Sequence, residues 1–73
     1  MGTITIAVGD DWEGLYYNGS LEMEGHVIDL SEALNFVSGL PTFDVERIEV
    51  DIDWLHDRGS LPIQLEEVQR YVD

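Results

Sequence analysis

Phe43-Asp44-Val45-Glu46-Arg47-Ile48-Glu49-Val50-Asp51-Ile52-Asp53-Trp54 is the stretch on which the fold turns. From Ile48 onward it alternates with period two. Ile48, Val50, Ile52 and Trp54 fall on one parity and Glu49, Asp51 and Asp53 on the other, the signature of a strand with one buried face. Phe43 and Val45 carry the opposite phase. The change near Arg47 predicts a bulge, or a strand that begins only at Glu46. Residues i and i+2 of a strand lie about 6.6–6.8 Å apart. Glu49, Asp51 and Asp53 are therefore expected as an evenly spaced row of negative charge, similar in pitch to the phosphates of a nucleic-acid strand.

Downstream, Leu55-His56-Asp57-Arg58-Gly59 reads as a turn. Ser60-Leu61-Pro62 then opens a last helix, with Pro62 in the first turn, where a missing N–H costs nothing. Leu65, Val68 and Val72 would form its inner face, and Glu66, Glu67 and Arg70 are ordered as the helix dipole favours.

Upstream, Leu30, Ala33, Leu34 and Val37 recur at helical spacing and predict a helix from Leu30 to Ser38. Asp29, with Glu32 three residues on, has capping-box spacing; Ser31 is the alternative cap. Gly39 and Pro41 stop the helix. Before it, Leu15-Tyr16-Tyr17 and Leu21-Glu22-Met23-Glu24 flank Asn18-Gly19. Asn-Gly accepts positive φ at both positions and so predicts a two-residue type I′ hairpin. Leu21 and Met23 are expected on one face of its second strand, with Glu22 and Glu24 on the other. Thr3 to Val8 is β-branched and alternates, a strand that places Ile4, Ile6 and Val8 together. The order β, β-hairpin, α, β, α defines an α+β domain over residues 1–73. A mainly antiparallel sheet of three or four strands is expected, with both helices on one face.

Composition narrows the function. The 73 residues include 16 Asp+Glu against 3 Lys+Arg, a net charge of −13, with no cysteine. The basic residues are Arg47, Arg58 and Arg70; lysine is absent. Disulfides and Cys-ligated zinc are excluded. Direct nucleic-acid binding is excluded on electrostatic grounds, because it requires Lys/Arg to displace counterions. A 44% hydrophobic content with clear periodicity argues against disorder. Solubility alone asks for a net charge of about 2–8 in magnitude. The surplus points either to a basic partner or to a salty cytoplasm. No signal sequence or membrane span is read in the chain, which is expected to be cytoplasmic, and Asn18-Gly19-Ser20 is read as a turn rather than a glycosylation site.

Sites of chemistry are not found. His26 and His56 lie in no metal-ligand spacing, and Asp51-Ile52-Asp53 begins like a calcium loop but lacks the ligands and glycine that must follow. Ser20, Ser31, Ser38 and Ser60 have turn or cap roles, and none lies in a nucleophile elbow. The glycines form no phosphate-cradling loop. No enzyme, cofactor or metal is expected. Trp54 is expected in the core, whereas Trp12 and one of Tyr16 and Tyr17 are candidates for an exposed contact beside the hairpin.

The remaining feature is the acidic set itself. Glu46, Glu49, Asp51 and Asp53 are the candidate partner-binding residues, with Glu22, Glu24, Asp10 and Asp11 beside them in the hairpin region. If the 46–53 strand pairs with the hairpin, Glu22 and Glu24 add a second row. In size and charge the chain resembles phage-encoded nucleic-acid mimics of the anti-CRISPR and anti-restriction type. That likeness is one of composition and transfers no residue roles. It implies a non-enzymatic protein occupying the basic surface of a nucleic-acid-binding protein, with no membrane involved. The alternatives are an antitoxin or immunity protein capping a basic toxin, and a salt-adapted domain of a halophile. A homodimer is compatible with the composition.

Overall fold

The structure, a computed structural model, describes residues 2–71. Seven short elements follow in order: β1 (Gly2–Val8), β2 (Glu13–Tyr17), β3 (Ser20–Gly25), α1 (Leu30–Ser38), β4 (Phe43–Glu49), α2 (Ile52–Arg58) and a single 3-10 turn at Leu65–Glu67. The four strands form one sheet in the order β3-β2-β1-β4.

The hairpin forms as its residues dictate. Asn18 and Gly19 have φ of 51° and 86°, the positive values of the expected turn. The Asn18 carboxamide also accepts from the Thr3 backbone N–H at 3.0 Å, which ties the turn to β1. One expectation fails within β3. Leu15 lies opposite Met23 whereas Tyr16 lies opposite Leu21, so Glu22 is the extra residue of a bulge. The bulge sends Leu21 to the face of Tyr16 and Met23 to the face of Leu15, so these two side chains do not share a face.

The sheet is mixed, not mainly antiparallel. β1 runs antiparallel to β2, but β4 joins the other side of β1 in parallel, with Thr5 opposite Glu46 and Val8 opposite Glu49. The cause is α1. A helix leaving the top of β3 returns the chain to the bottom, so the next strand rises again; parallel strands need such a crossover. The helix has the predicted limits. The Asp29 carboxylate accepts from the N–H groups of Ser31 (2.8 Å) and Glu32 (3.2 Å), satisfying donors that the first turn leaves free.

The two helices lie on opposite faces, not on one. The back face carries Ile4, Leu15 and Tyr17, and α1 packs there through Phe36, edge-to-face against Tyr17 at 5.7 Å. The front face carries the main core: Ala7, Tyr16 and Ile48 with Val50, Leu55 of α2, Leu61 and Val68. β1 is covered on both sides, so Thr5 and Ala7 are as buried as Ile4. The expected phase change at Arg47 is not a bulge, since β4 keeps one register with β1 from Phe43 to Glu49. Of the two apolar phases only the second is buried: Ile48 faces the front core, whereas on the back Phe43 is half-buried and Val45 exposed.

Beyond Glu49 the chain departs most from expectation. The strand does not continue to Trp54. Asp51 ends it by accepting from the Trp54 N–H at 3.0 Å as the N-cap of α2. Gly59 closes α2 in the left-handed region at φ 85°. Nor does an α-helix start at Pro62. Residues 60–71 instead form an extended strap across the front face. Ile63 C=O accepts from Leu21 N–H (2.8 Å) and Leu65 N–H donates to Gly19 C=O (2.7 Å) at the β3 edge. At the β4 edge, Asp51 N–H donates to Gln69 C=O and Tyr71 N–H to Glu49 C=O, both at 2.9 Å. Between them Leu61, Pro62 and Val68 are buried. Gly14 lies beneath the strap, where any Cβ would collide with the Leu61 side chain. Val72, assigned to the inner face of the expected helix, lies outside the described residues.

Candidate partner-binding surface

The eight candidate acids do not form one strand row. They divide into an end group and two edge groups. Asp10 and Asp11 are exposed in the β1–β2 loop. Glu49 is the last residue of β4, beside Val8. Asp51 caps α2 and Asp53 lies in its first turn. These five share the end of the sheet where β1 and β4 finish. Asp10 and Glu49 line an open depression of about 500 Å³ whose floor includes Val8, Val50 and Ile52. Asp51 and Asp53 line the neighbouring hollow, which shares Ile52 and Tyr71 with the first.

Glu46 stands apart, midway along β4 on the front face. One of its oxygens accepts from the buried Thr5 hydroxyl at 2.8 Å, which anchors the carboxylate without burying it. Glu22 and Glu24 are on β3, separated from β4 by two strands. The second acidic row alongside 46–53 therefore does not exist. Glu24 is a framework residue: its Oε1 accepts from Trp12 Nε1 (2.9 Å) and from Leu61 N–H (3.2 Å), joining the β1–β2 loop to the strap. Asp44, which opens the acidic run of the sequence but is not among the eight candidates, is exposed and lies two residues from Glu46 on the same face of the same strand. The acid row that the strand does make is Asp44–Glu46.

Three more acids are engaged in holding backbone: Asp29 and Asp51 as caps, and Glu13, which accepts from Ile28 N–H at 3.1 Å. Cations offset little of the rest. Among the described residues the side-chain ion pair is Arg47–Glu49, long at 3.6 Å and exposed; pairs of this kind contribute about 0–1 kcal/mol. Arg58 lies over the Trp54 ring at 5.9 Å. Arg70 stands opposite Val50 in the strap.

Trp12, Tyr16, Tyr17 and Trp54 serve the fold. Trp54 packs against the core as expected. Trp12 also packs there, is half-buried, and meets His26 edge-on at 5.0 Å. Tyr16 is fully buried, and its hydroxyl donates to the Pro62 carbonyl at 2.6 Å. Neither is the exposed contact that the sequence suggested, and Tyr17 is held under Phe36. Burial pushes the Tyr16 phenol up from 10.0 to about 12, with Glu24 adding to the shift.

Among the described residues no group of three or more His, Asp or Glu side chains is arranged to hold a metal ion. No helix among them is long and apolar enough to cross a membrane. The chain matches no protein-family model, and no curated protein or solved structure is significantly similar to it.

Proposed function

We propose that this is a non-enzymatic binding protein that occupies the basic nucleic-acid-binding surface of a partner protein, in the manner of a nucleic-acid-mimic inhibitor. The observation that carries the reading is the gathering of Asp10, Glu49, Asp51 and Asp53 around two adjoining hollows at one end of the sheet, with Asp11 in the neighbouring loop and Arg47 as the cation beside them. Such a concentration of like charge disfavours the compact state. A cationic groove would relieve that repulsion on binding and be steered toward it during approach. Binding of this kind weakens steeply with salt and competes with the nucleic acid for the same groove.

The test is affinity capture from lysate at low salt, with identification of the retained proteins and elution by duplex DNA or by RNA. The reading expects a basic nucleic-acid-binding protein that nucleic acid elutes. Retention of no basic protein, or of one that nucleic acid leaves in place, contradicts it.

A further inference from the structure

The two edges of the sheet are treated differently by the strap. At β4 it pairs only at the end of the strand, with Tyr71 N–H on Glu49 C=O and Val50 opposite Arg70. The hydrogen bonds there fix the direction of every backbone group along the strand. Val50 N–H points inward to Val8 C=O, whereas Glu49 C=O and Asp51 N–H point outward to the strap. Alternation then turns the N–H and C=O groups of Phe43 and Val45 outward. Among the described residues nothing pairs with them. Val45 is 62% exposed on the back side of this edge, and the exposed Asp44 and Glu46 stand on its front side. An open edge of this kind is a template for another strand.

A second copy of this chain is a poor occupant. Pairing β4 with its own equivalent would bring Asp44 and Glu46 against like charges, and such pairs are destabilising. A segment of opposite charge is a good one. An added strand places alternate side chains on alternate faces. Those beside Asp44 and Glu46 should be basic and those beside Val45 apolar.

We infer that the outer edge of β4 over residues 43–46 takes up an extended segment of a partner protein as a fifth strand, one whose side chains alternate between basic and apolar. This rests on the partner-binding reading above and supplies the way the partner is held. Backbone hydrogen bonds from Phe43 and Val45 provide affinity, and the alternation provides selectivity.

The probes are a capped seven-residue peptide of alternating lysine and valine, the same peptide N-methylated at alternate backbone amides, and heptalysine. Each is titrated at low salt while the protein's amide resonances are followed by NMR. The alternating peptide should bind about tenfold tighter than its form methylated on the edge-facing side, the worth of one or two net backbone hydrogen bonds, and should move the resonances of residues 43–47. Val45→Pro, which deletes an outward N–H, should remove that advantage while leaving heptalysine binding unchanged. If the methylated peptide binds as well as its parent, the edge inference is overturned and the acidic-surface reading stands. If neither the alternating peptide nor heptalysine binds, both are overturned.

Discussion

The two faces of the sheet differ in how firmly they are closed. On the front, α2 and the strap bury Leu55, Leu61 and Val68 against Ala7, Tyr16 and Val50. On the back, α1 has no buried residue, and Val27, Leu30 and Leu34 are exposed, Leu30 at 72%. The front face therefore holds the larger buried cluster, while the back face buries Ile4 and Leu15 beneath a helix whose own side chains stay partly or fully exposed. The difference teaches where stability resides in a small domain with no disulfide. The larger share resides under the element that hydrogen-bonds to both sheet edges, and beneath the longest helix it rests on Ile4 and Leu15.

The largest expected effect tests that contrast directly. Leu55→Ala or Leu61→Ala should destabilise by about 2–5 kcal/mol, the usual cost of a core cavity. Leu30→Ala and Leu34→Ala should stay within about 0.5 kcal/mol. Denaturant unfolding measures both, and equal losses from the two faces would break the comparison.

Next is the response to alkali. The folded-state pKa of Tyr16 is raised from 10.0 to about 12, so the fold favours the neutral phenol. The stability this represents is complete below pH 10 and is lost as pH rises through about 12. Circular dichroism followed with phenolate absorbance should show front-face unfolding coupled to Tyr16 ionisation. In Tyr16→Phe that coupling should vanish, at the cost of an unpaired Pro62 carbonyl at neutral pH.

The caps give a smaller contrast. Asp51→Ala should cost about 0.5–2 kcal/mol. Asp29→Ala should cost less of the global stability, because the helix it caps packs more loosely. Thermal melts resolve this, since about 1 kcal/mol moves the midpoint of a domain this size by 4–8 °C. For the same reason a charge reversal at Asp51 is not a clean test of binding: it removes a cap as well as a charge. Glu49 and Asp53 are the cleaner positions.

The smallest effect concerns salt. Relief of the repulsion among exposed carboxylates should be nearly complete once the screening length falls to a few ångströms, near about 1 M. The melting midpoint should therefore rise through the first few tenths molar and then level. A midpoint that climbs steadily through several molar would favour the salt-adapted account instead.

The sequence made legible whatever local chemistry decides. Asn18-Gly19 set the turn, Asp29 and Gly39 set the limits of α1, and the alternation of Ile4, Ile6 and Val8 set β1. It concealed what distant contacts decide. The direction of β4 followed from the return path of α1, which no local pattern states. The run from Val50 to Trp54 has a strand's alternation, yet Asp51 and Gly59 bracket it with a cap and a stop. Those two residues were the available signal for α2, since a capping acid and a terminal glycine eight residues apart describe a two-turn helix. The acidic site was legible as composition and not as arrangement. Glu24 reads as a surface charge until Trp12 and Leu61 are seen to donate to it, and Asp44 gains weight only because β4 begins at Phe43.

The central claim is that the acids at the end of the sheet compete with nucleic acid for a basic groove. The direct measurement is displacement of a labelled duplex from the captured partner by wild-type protein and by the Asp10→Asn, Asp11→Asn, Glu49→Gln, Asp53→Asn variant, across a range of salt concentrations. The account predicts full displacement by the wild type, with affinity falling steeply as salt rises. It predicts weaker displacement and a shallower salt slope for the neutralised variant, with its fold intact by circular dichroism. Equal displacement by both proteins at every salt concentration would contradict it.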